Sequence, residues 1–96
     1  MSLNVRVITP DKVVWDASAE EIILPSSTGQ LGILTDHAPL LTALDIGPII
    51  ICQQANWTTL ALIGGFALVQ ENQVTILVNE AVSTFSVDKN DQTIRA

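Results

Sequence analysis

Residues 24–44 read LPSSTGQLGILTDHAPLLTAL. Two loops are set between short apolar pieces, Ile33-Leu34 and Leu40-Leu41. The first loop, Ser26-Ser27-Thr28-Gly29-Gln30-Leu31-Gly32, puts two glycines three residues apart, and the second, Thr35-Asp36-His37-Ala38-Pro39, holds the single histidine of the chain. Glycine and proline at this density mark turns between short strands rather than helix. Pro39 removes a backbone donor and forces Ala38 into an extended conformation, so the exit of the second loop is stiff. Loops of this kind on a rigid scaffold are where function concentrates.

Outward from that stretch the apolar residues keep a period of two, the signature of half-buried strands. Leu3, Val5 and Val7 share one face, opposite Asn4 and Arg6. Val13 and Trp15 alternate with Lys12, Val14 and Asp16. Further strands are expected at Ile22–Leu24, Ile49–Cys52, Trp57–Ile63, Phe66–Val69, Val74–Val78 and Ala81–Phe85, with Glu71-Asn72 a tight turn. That makes about ten short strands with a turn signal every 8 to 12 residues, which points to an antiparallel sandwich or barrel. Val, Ile and Thr dominate the runs, as pleated surfaces favour. The end of the chain, residues 86–96, is polar. Asp88 is a possible helix cap there, but too little chain follows to hold an isolated helix, so a loosely attached end is expected.

Ninety-six residues make one domain. Apolar residues are 48% of the chain, enough for a core without disulfide or metal staples. Ten acidic residues against four basic ones give a net charge of −6. Arg6, Lys12, Lys89 and Arg95 are scattered, so neither nucleic acid nor anionic lipid is an expected partner. No apolar run approaches the roughly 20 residues of a membrane-spanning helix, and the first residues carry neither a signal-peptide nor a transit-peptide pattern. The lone Cys52 lies in an apolar run and is read as a buried, inert thiol.

Candidate chemistry is sparse. Asp36 and His37, with Ser26, Ser27 and Thr28 in the preceding loop, contain the parts of a nucleophile–base–acid set. Neighbours on an extended chain point opposite ways, however, so Asp36 cannot easily orient His37, and no nucleophile elbow is present. One His, one Cys and dispersed carboxylates supply no metal site. Gly29-Gln30-Leu31-Gly32 has no Walker lysine and opens no helix, and Gly64-Gly65 sits between strands; both are read as turn formers rather than phosphate cradles. Glu20-Glu21 face opposite sides of a strand, and Trp15 and Trp57 are read as core or interface anchors, Trp57 buried against the opposite sheet. Docking suits the first two loops better than turnover: Gln30, Leu31, His37 and Leu40 make an apolar-plus-amide surface with few charges.

Three stretches carry a family resemblance: Leu3 to Asp16, Leu24 to Leu44, and Ile63-Gly64-Gly65-Phe66-Ala67 with Val74 to Asn79. The set, with HAPLL and GGFA at this spacing, resembles the epsilon subunit of F-type rotary ATP synthases, and most closely its cyanobacterial and plastid branch. The resemblance implies a ten-stranded antiparallel β-sandwich of two five-stranded sheets over residues 1–85, then a polar tail, 86–96, where the family begins a helical hairpin. It implies a non-catalytic rotor subunit without cofactor or metal, binding the gamma subunit and the c-ring. The c-ring side falls on Gly29, Gln30, Leu31 and Gly32. The gamma side falls on His37, Ala38, Pro39, Leu40, Leu41 and Thr42. The location implied is peripheral, on the cytoplasmic or stromal face of a plasma or thylakoid membrane, without lipid insertion. Restraint of ATP hydrolysis belongs in the family to the hairpin, so for residues 1–96 it is in question. Two other classes stay open on the residues themselves: a free-standing β-sandwich that binds a small ligand, carbohydrate or other protein, and a small hydrolase built on His37.

Overall fold

A computed structural model describes residues 2–54, 56–79 and 81–88. Ten strands follow one another: β1 (Leu3–Ile8), β2 (Val13–Ala19), β3 (Glu21–Ser26), β4 (Gly29–Leu34), β5 (Leu40–Leu44), β6 (Gly47–Cys52), β7 (Asn56–Leu62), β8 (Gly65–Gln70), β9 (Gln73–Val78) and β10 (Ala81–Asp88). The hydrogen-bonded order runs β10-β7-β6-β3-β5-β8-β9-β1-β2, with β4 on the other side of β3. A single pair, Ser26 opposite Leu44, joins β3 to β5. Five strands (β4, β3, β6, β7, β10) therefore lie on one side of that joint and five (β5, β8, β9, β1, β2) on the other. The expected two five-stranded sheets are present, but one ladder rung links them.

The expected all-antiparallel pairing needs one correction. β1 pairs with β9 in parallel, from Asn4 opposite Gln73 to Ile8 opposite Leu77. A parallel pair needs a long crossover, and here the seven intervening strands, β2 to β8, and their connections supply it.

Alternation places the core between the two layers. Leu3, Val5 and Val7 of β1, Val74 and Ile76 of β9, and Ala67 and Val69 of β8 face Ile22 and Leu24 of β3, Ile33 of β4, Ile49 and Ile51 of β6, and Leu60 and Leu62 of β7, all buried. Cys52 is buried as expected. Thr58 is the one buried polar residue among the described ones. Its inward position corrects the reading of Trp57. Thr58, Leu60 and Leu62 form the buried set of β7, so Trp57 lies on the outer face, where it is half-buried. Trp15 does pack on the core, opposite Val7. Val13 does not share its face. The register slips between Val7 and Ile8, so that Val13 stands opposite Ile8, and this bulge turns Val13 outward.

The turns follow from local chemistry. Glu71 and Asn72 both have positive φ, 50° and 61°, the conformation a two-residue type I′ hairpin requires. In the β1–β2 turn the Thr9 hydroxyl accepts from the amides of Asp11 (3.3 Å) and Lys12 (3.2 Å). Gly65 has φ +148°, and a Cβ there would strike the carbonyl oxygen of Leu77 on the paired strand. Asp88, considered above as a helix cap, is the last residue of β10, opposite Asn56, because ladder pairing with β7 extends that far. Residues 89–96, the rest of the tail, lie outside the described residues.

Candidate functional site

The first candidate segment is more regular than a loop. Only Ser27 and Thr28 turn, and Gly29 to Gly32 belong to β4, with Gln30 opposite Pro25 and Leu31 opposite Leu24. The turn is closed by the Ser26 hydroxyl, which donates to the Gly29 carbonyl at 2.7 Å. Gly29, Gln30 and Gly32 are exposed, whereas Leu31 is half-buried and packs on the core. Strand alternation sends Leu31 inward and Gln30 outward, so of the two Gln30 is the more exposed.

The second segment leaves β4 at its far end. Six residues of strand separate the hairpin tip from Thr35, roughly 20 Å at the usual rise. The two segments thus lie at opposite ends of the sandwich, and Ser26, Ser27 and Thr28 cannot serve His37. Asp36 does not orient it either. Asp36 is in a left-handed turn (φ 64°), not an extended one, and its carboxylate accepts from Asn72 Nδ2 at 3.3 Å. His37, half-buried, has Nδ1 2.7 Å from the Ala38 carbonyl oxygen. A carbonyl only accepts, so Nδ1 carries the proton and Nε2 is left as the neutral ring's acceptor. Asp36, His37 and Ser26 to Thr28 therefore form no triad, and the hydrolase reading built on them is corrected by these contacts. Among the described residues no cluster of His, Cys, Asp and Glu could hold a metal ion.

Alternation also splits Leu40 to Thr42. Leu40 packs on the core, and Leu41 projects outward with 70% of its surface exposed. Leu41 stands opposite Leu68, and Ala43 opposite Phe66. Phe66 in turn stands opposite Leu77, Leu77 beside Ile8, and Ile8 opposite Val13. The outer face of β5-β8-β9-β1-β2 therefore carries an unbroken apolar row, Ala43, Phe66, Leu77, Ile8 and Val13, with Leu41 and Leu68 alongside. Phe66 is 56% and Leu77 51% exposed. Contiguous exposed apolar surface of this kind marks an interaction site. Along the middle of the row a hollow of about 450 Å³ opens between Phe66, Leu77, Ile8, Gly65 and the Thr9-Pro10 turn. None of the residues lining it carries an acidic, basic or thiol side chain, and the Thr9 hydroxyl has no base beside it in that lining.

Phe66, Leu68 and Leu77 were not singled out from the sequence as docking residues. The available signal was that FALV in β8 and VTILV in β9 are apolar on both faces, although an antiparallel strand with one solvated face alternates with polar residues.

Residues 2–84 match the family described as ATP synthase, Delta/Epsilon chain, beta-sandwich domain. The chain belongs to this family. It is 66% identical over 88 residues to the chloroplastic ATP synthase epsilon chain of Emiliania huxleyi, a match covering 92% of this chain and 68% of that one. It is 60% identical over 90 residues to the ATP synthase epsilon chain of Gloeothece citriformis, covering 94% of this chain and 65% of that one. Among solved structures, a chain of the Euglena gracilis mitochondrial ATP synthase (OSCP/F1/c-ring, rotational state 1) superposes with a TM-score of 0.80 at 21% identity, over 84% of this chain and 52% of that chain. At that identity the likeness speaks to the fold alone. Epsilon chains of the plastid and cyanobacterial type are thus the relatives of this sandwich. Membership agrees with the site chemistry, since an epsilon chain is not the catalytic subunit of its complex.

Proposed function

We propose that this sandwich is the rotor-side coupling domain of a rotary ATP synthase, docking on the gamma subunit and on the c-ring so that rotation driven by proton flow reaches the catalytic head. The observation that carries the reading is the apolar row on the outer face of β5-β8-β9-β1-β2, flanked by Leu41. It gives the gamma side a broader footing than His37 to Thr42 alone. Leu41, opposite Leu68, links the His37–Pro39 segment to this row, while Leu40 and Thr42 lie on the inward side of β5.

The c-ring side is the opposite end, around Gly29 and Gln30. Two further exposed apolar residues stand at that end, Ile46 (77% exposed) in the β5–β6 turn and Ile63 in the β7–β8 turn. Their turns adjoin because Gly47 pairs with Leu62. Contacts at both ends of a rigid sandwich suit a part that transmits torque: many simultaneous contacts on stiff sheets, and no reactive group. The setting is a membrane-associated complex, on the stromal face of a thylakoid or the cytoplasmic face of a plasma membrane, reached through protein partners and not through lipid.

The test is calorimetric titration of the chain with purified gamma subunit, followed by cross-linking of a Gln30→Cys variant in the assembled complex. The reading requires saturable binding at micromolar concentration or tighter, and a cross-link to the ring. Absence of both defeats it, and binding of a small sugar or metabolite in the hollow by Phe66 instead would favour a free-standing ligand-binding sandwich.

A further inference from the structure

Thr35 to Pro39 lies outside every strand, between the end of β4 and the start of β5. Side-chain bonds to one residue, 36 positions away, tie it down. The Asp36 amide donates to Asn72 Oδ1 at 2.6 Å, and Asn72 Nδ2 donates to Asp36 Oδ1 at 3.3 Å. The Asn72 carbonyl oxygen meanwhile accepts from the Asn4 amide at 2.8 Å. Asn72 is half-buried and is the second central residue of the β8–β9 turn, with φ 61°.

We propose that Asn72 is a positioning residue for partner docking: it clamps the Asp36 turn and so fixes where His37 to Leu41 stand. The inference rests on the docking reading above. The β5–β8 ladder begins only at Leu40 opposite Val69, so beyond it the two strands would fork open. The Asn72 amide closes that fork. A carboxamide can accept from a backbone amide and donate to a carboxylate at once, and here it does so on a backbone that sits in the left-handed region. Asparagine is enriched in that region several-fold over most residues. Asp lacks the donor and would face the Asp36 carboxylate, Ser is too short for both bonds, and Ala has neither. Asp36 is itself left-handed (φ 64°), a conformation that persists only when its surroundings hold it. Released from Asn72, the segment regains its backbone freedom, and a partner that needs His37 and Leu41 in one arrangement must then order it on binding.

The test titrates purified gamma subunit with the wild-type chain, Asn72→Gly, Asn72→Asp, and the exchanged pair Asp36→Asn with Asn72→Asp. Thermal melting and amide hydrogen exchange at Asp36 are measured on each. Glycine keeps the left-handed turn, so Asn72→Gly is expected to melt within a few degrees of wild type, to lose protection at the Asp36 amide, and to bind about tenfold more weakly. Asn72→Asp is expected to weaken binding at least as much. In the exchanged pair the new carboxylate at 72 accepts from the new amide at 36, and affinity returns to within about threefold of wild type, which a purely structural loss would not do. Wild-type affinity in Asn72→Gly with the amide unprotected overturns the inference, as does failure of the exchanged pair to recover. If the wild-type chain itself does not bind gamma, the docking reading has failed, an outcome distinct from either of these.

Discussion

Alanine at Gly65 and alanine at Gly64 should behave very differently, although the two glycines are neighbours and both have positive φ. At Gly64 (φ +72°) the nearest atom to an added Cβ is the Leu44 carbonyl oxygen at 3.8 Å, an ordinary contact. The cost is then conformational strain alone, on the order of 1 kcal/mol, the lower end for a residue forced into the left-handed region. At Gly65 (φ +148°) the Cβ strikes the Leu77 carbonyl and lies 3.0 Å from both Cα and Cγ1 of Val78. Two of those three atoms are backbone in the paired strand β9, which cannot swing aside as a side chain would. Strain of roughly 1–3 kcal/mol adds to overpacking of roughly 1–3 kcal/mol, about 2–6 kcal/mol in total. A domain of this size has only about 5–15 kcal/mol of stability, so Gly65→Ala removes a large share of it. Thermal melts and urea titrations of both variants measure the contrast. Gly64→Ala should lose about 5 °C and Gly65→Ala at least about 10 °C, at about 4–8 °C per kcal/mol. Equal losses, or a Gly65→Ala loss below about 1 kcal/mol, would refute the close approach of β8 to β9 on which the register rests.

Other outcomes follow from the same geometry. Phe66→Ala uncovers no core, so the melting point should stay within a few degrees. With 56% of the ring exposed, about 110 Å² of a roughly 200 Å² side chain is free for a partner, worth about 2–3 kcal/mol at about 25 cal/mol/Å². Gamma affinity should therefore fall roughly 30- to 100-fold by titration; a change under twofold would remove Phe66 from the interface. Ile76→Ala deletes a fully buried side chain between the layers and should cost about 2–5 kcal/mol in urea unfolding. Arg6 and Asp16 pair across β1 and β2 at 3.6 Å, both more than half exposed. Arg6→Ala should cost under about 1 kcal/mol, and less still in high salt.

The strands themselves were legible because period-two alternation survives in nearly every run, and the turn at Glu71-Asn72 because its residues tolerate or favour positive φ. What alternation does not say is which face is inside when both are apolar. Leu40 and Leu41 are the same residue type, and only pairing with β8 puts the first on the core and the second in solvent. The outer row of Phe66 and Leu77 stayed hidden for the same reason. A bulge is equally invisible locally: one extra residue near Val14 reversed Val13 relative to Trp15. The parallel pairing of β1 with β9 joins segments some 70 residues apart, and no local rule encodes it. Trp57 was misplaced through its size, since a large aromatic suggests core, but Thr58 holds the inward position and its alternation with Leu60 and Leu62 decides the matter. At the candidate site, reading Asp36 as extended hid its bond to Asn72. A left-handed Asp is a tertiary outcome, set by a residue 36 positions away.

On the proposed function, the outer face of β5-β8-β9-β1-β2 is a docking face. Hydroxyl-radical labelling of the chain, free and saturated with gamma subunit, reads it most directly, since side-chain oxidation follows exposure. Leu41, Phe66, Leu68 and Leu77 should label readily in the free chain and lose most of that labelling in the complex, while Pro48 on the opposite layer is unchanged. Binding of gamma with these four side chains labelled as before, or with protection confined to the opposite layer, would contradict it.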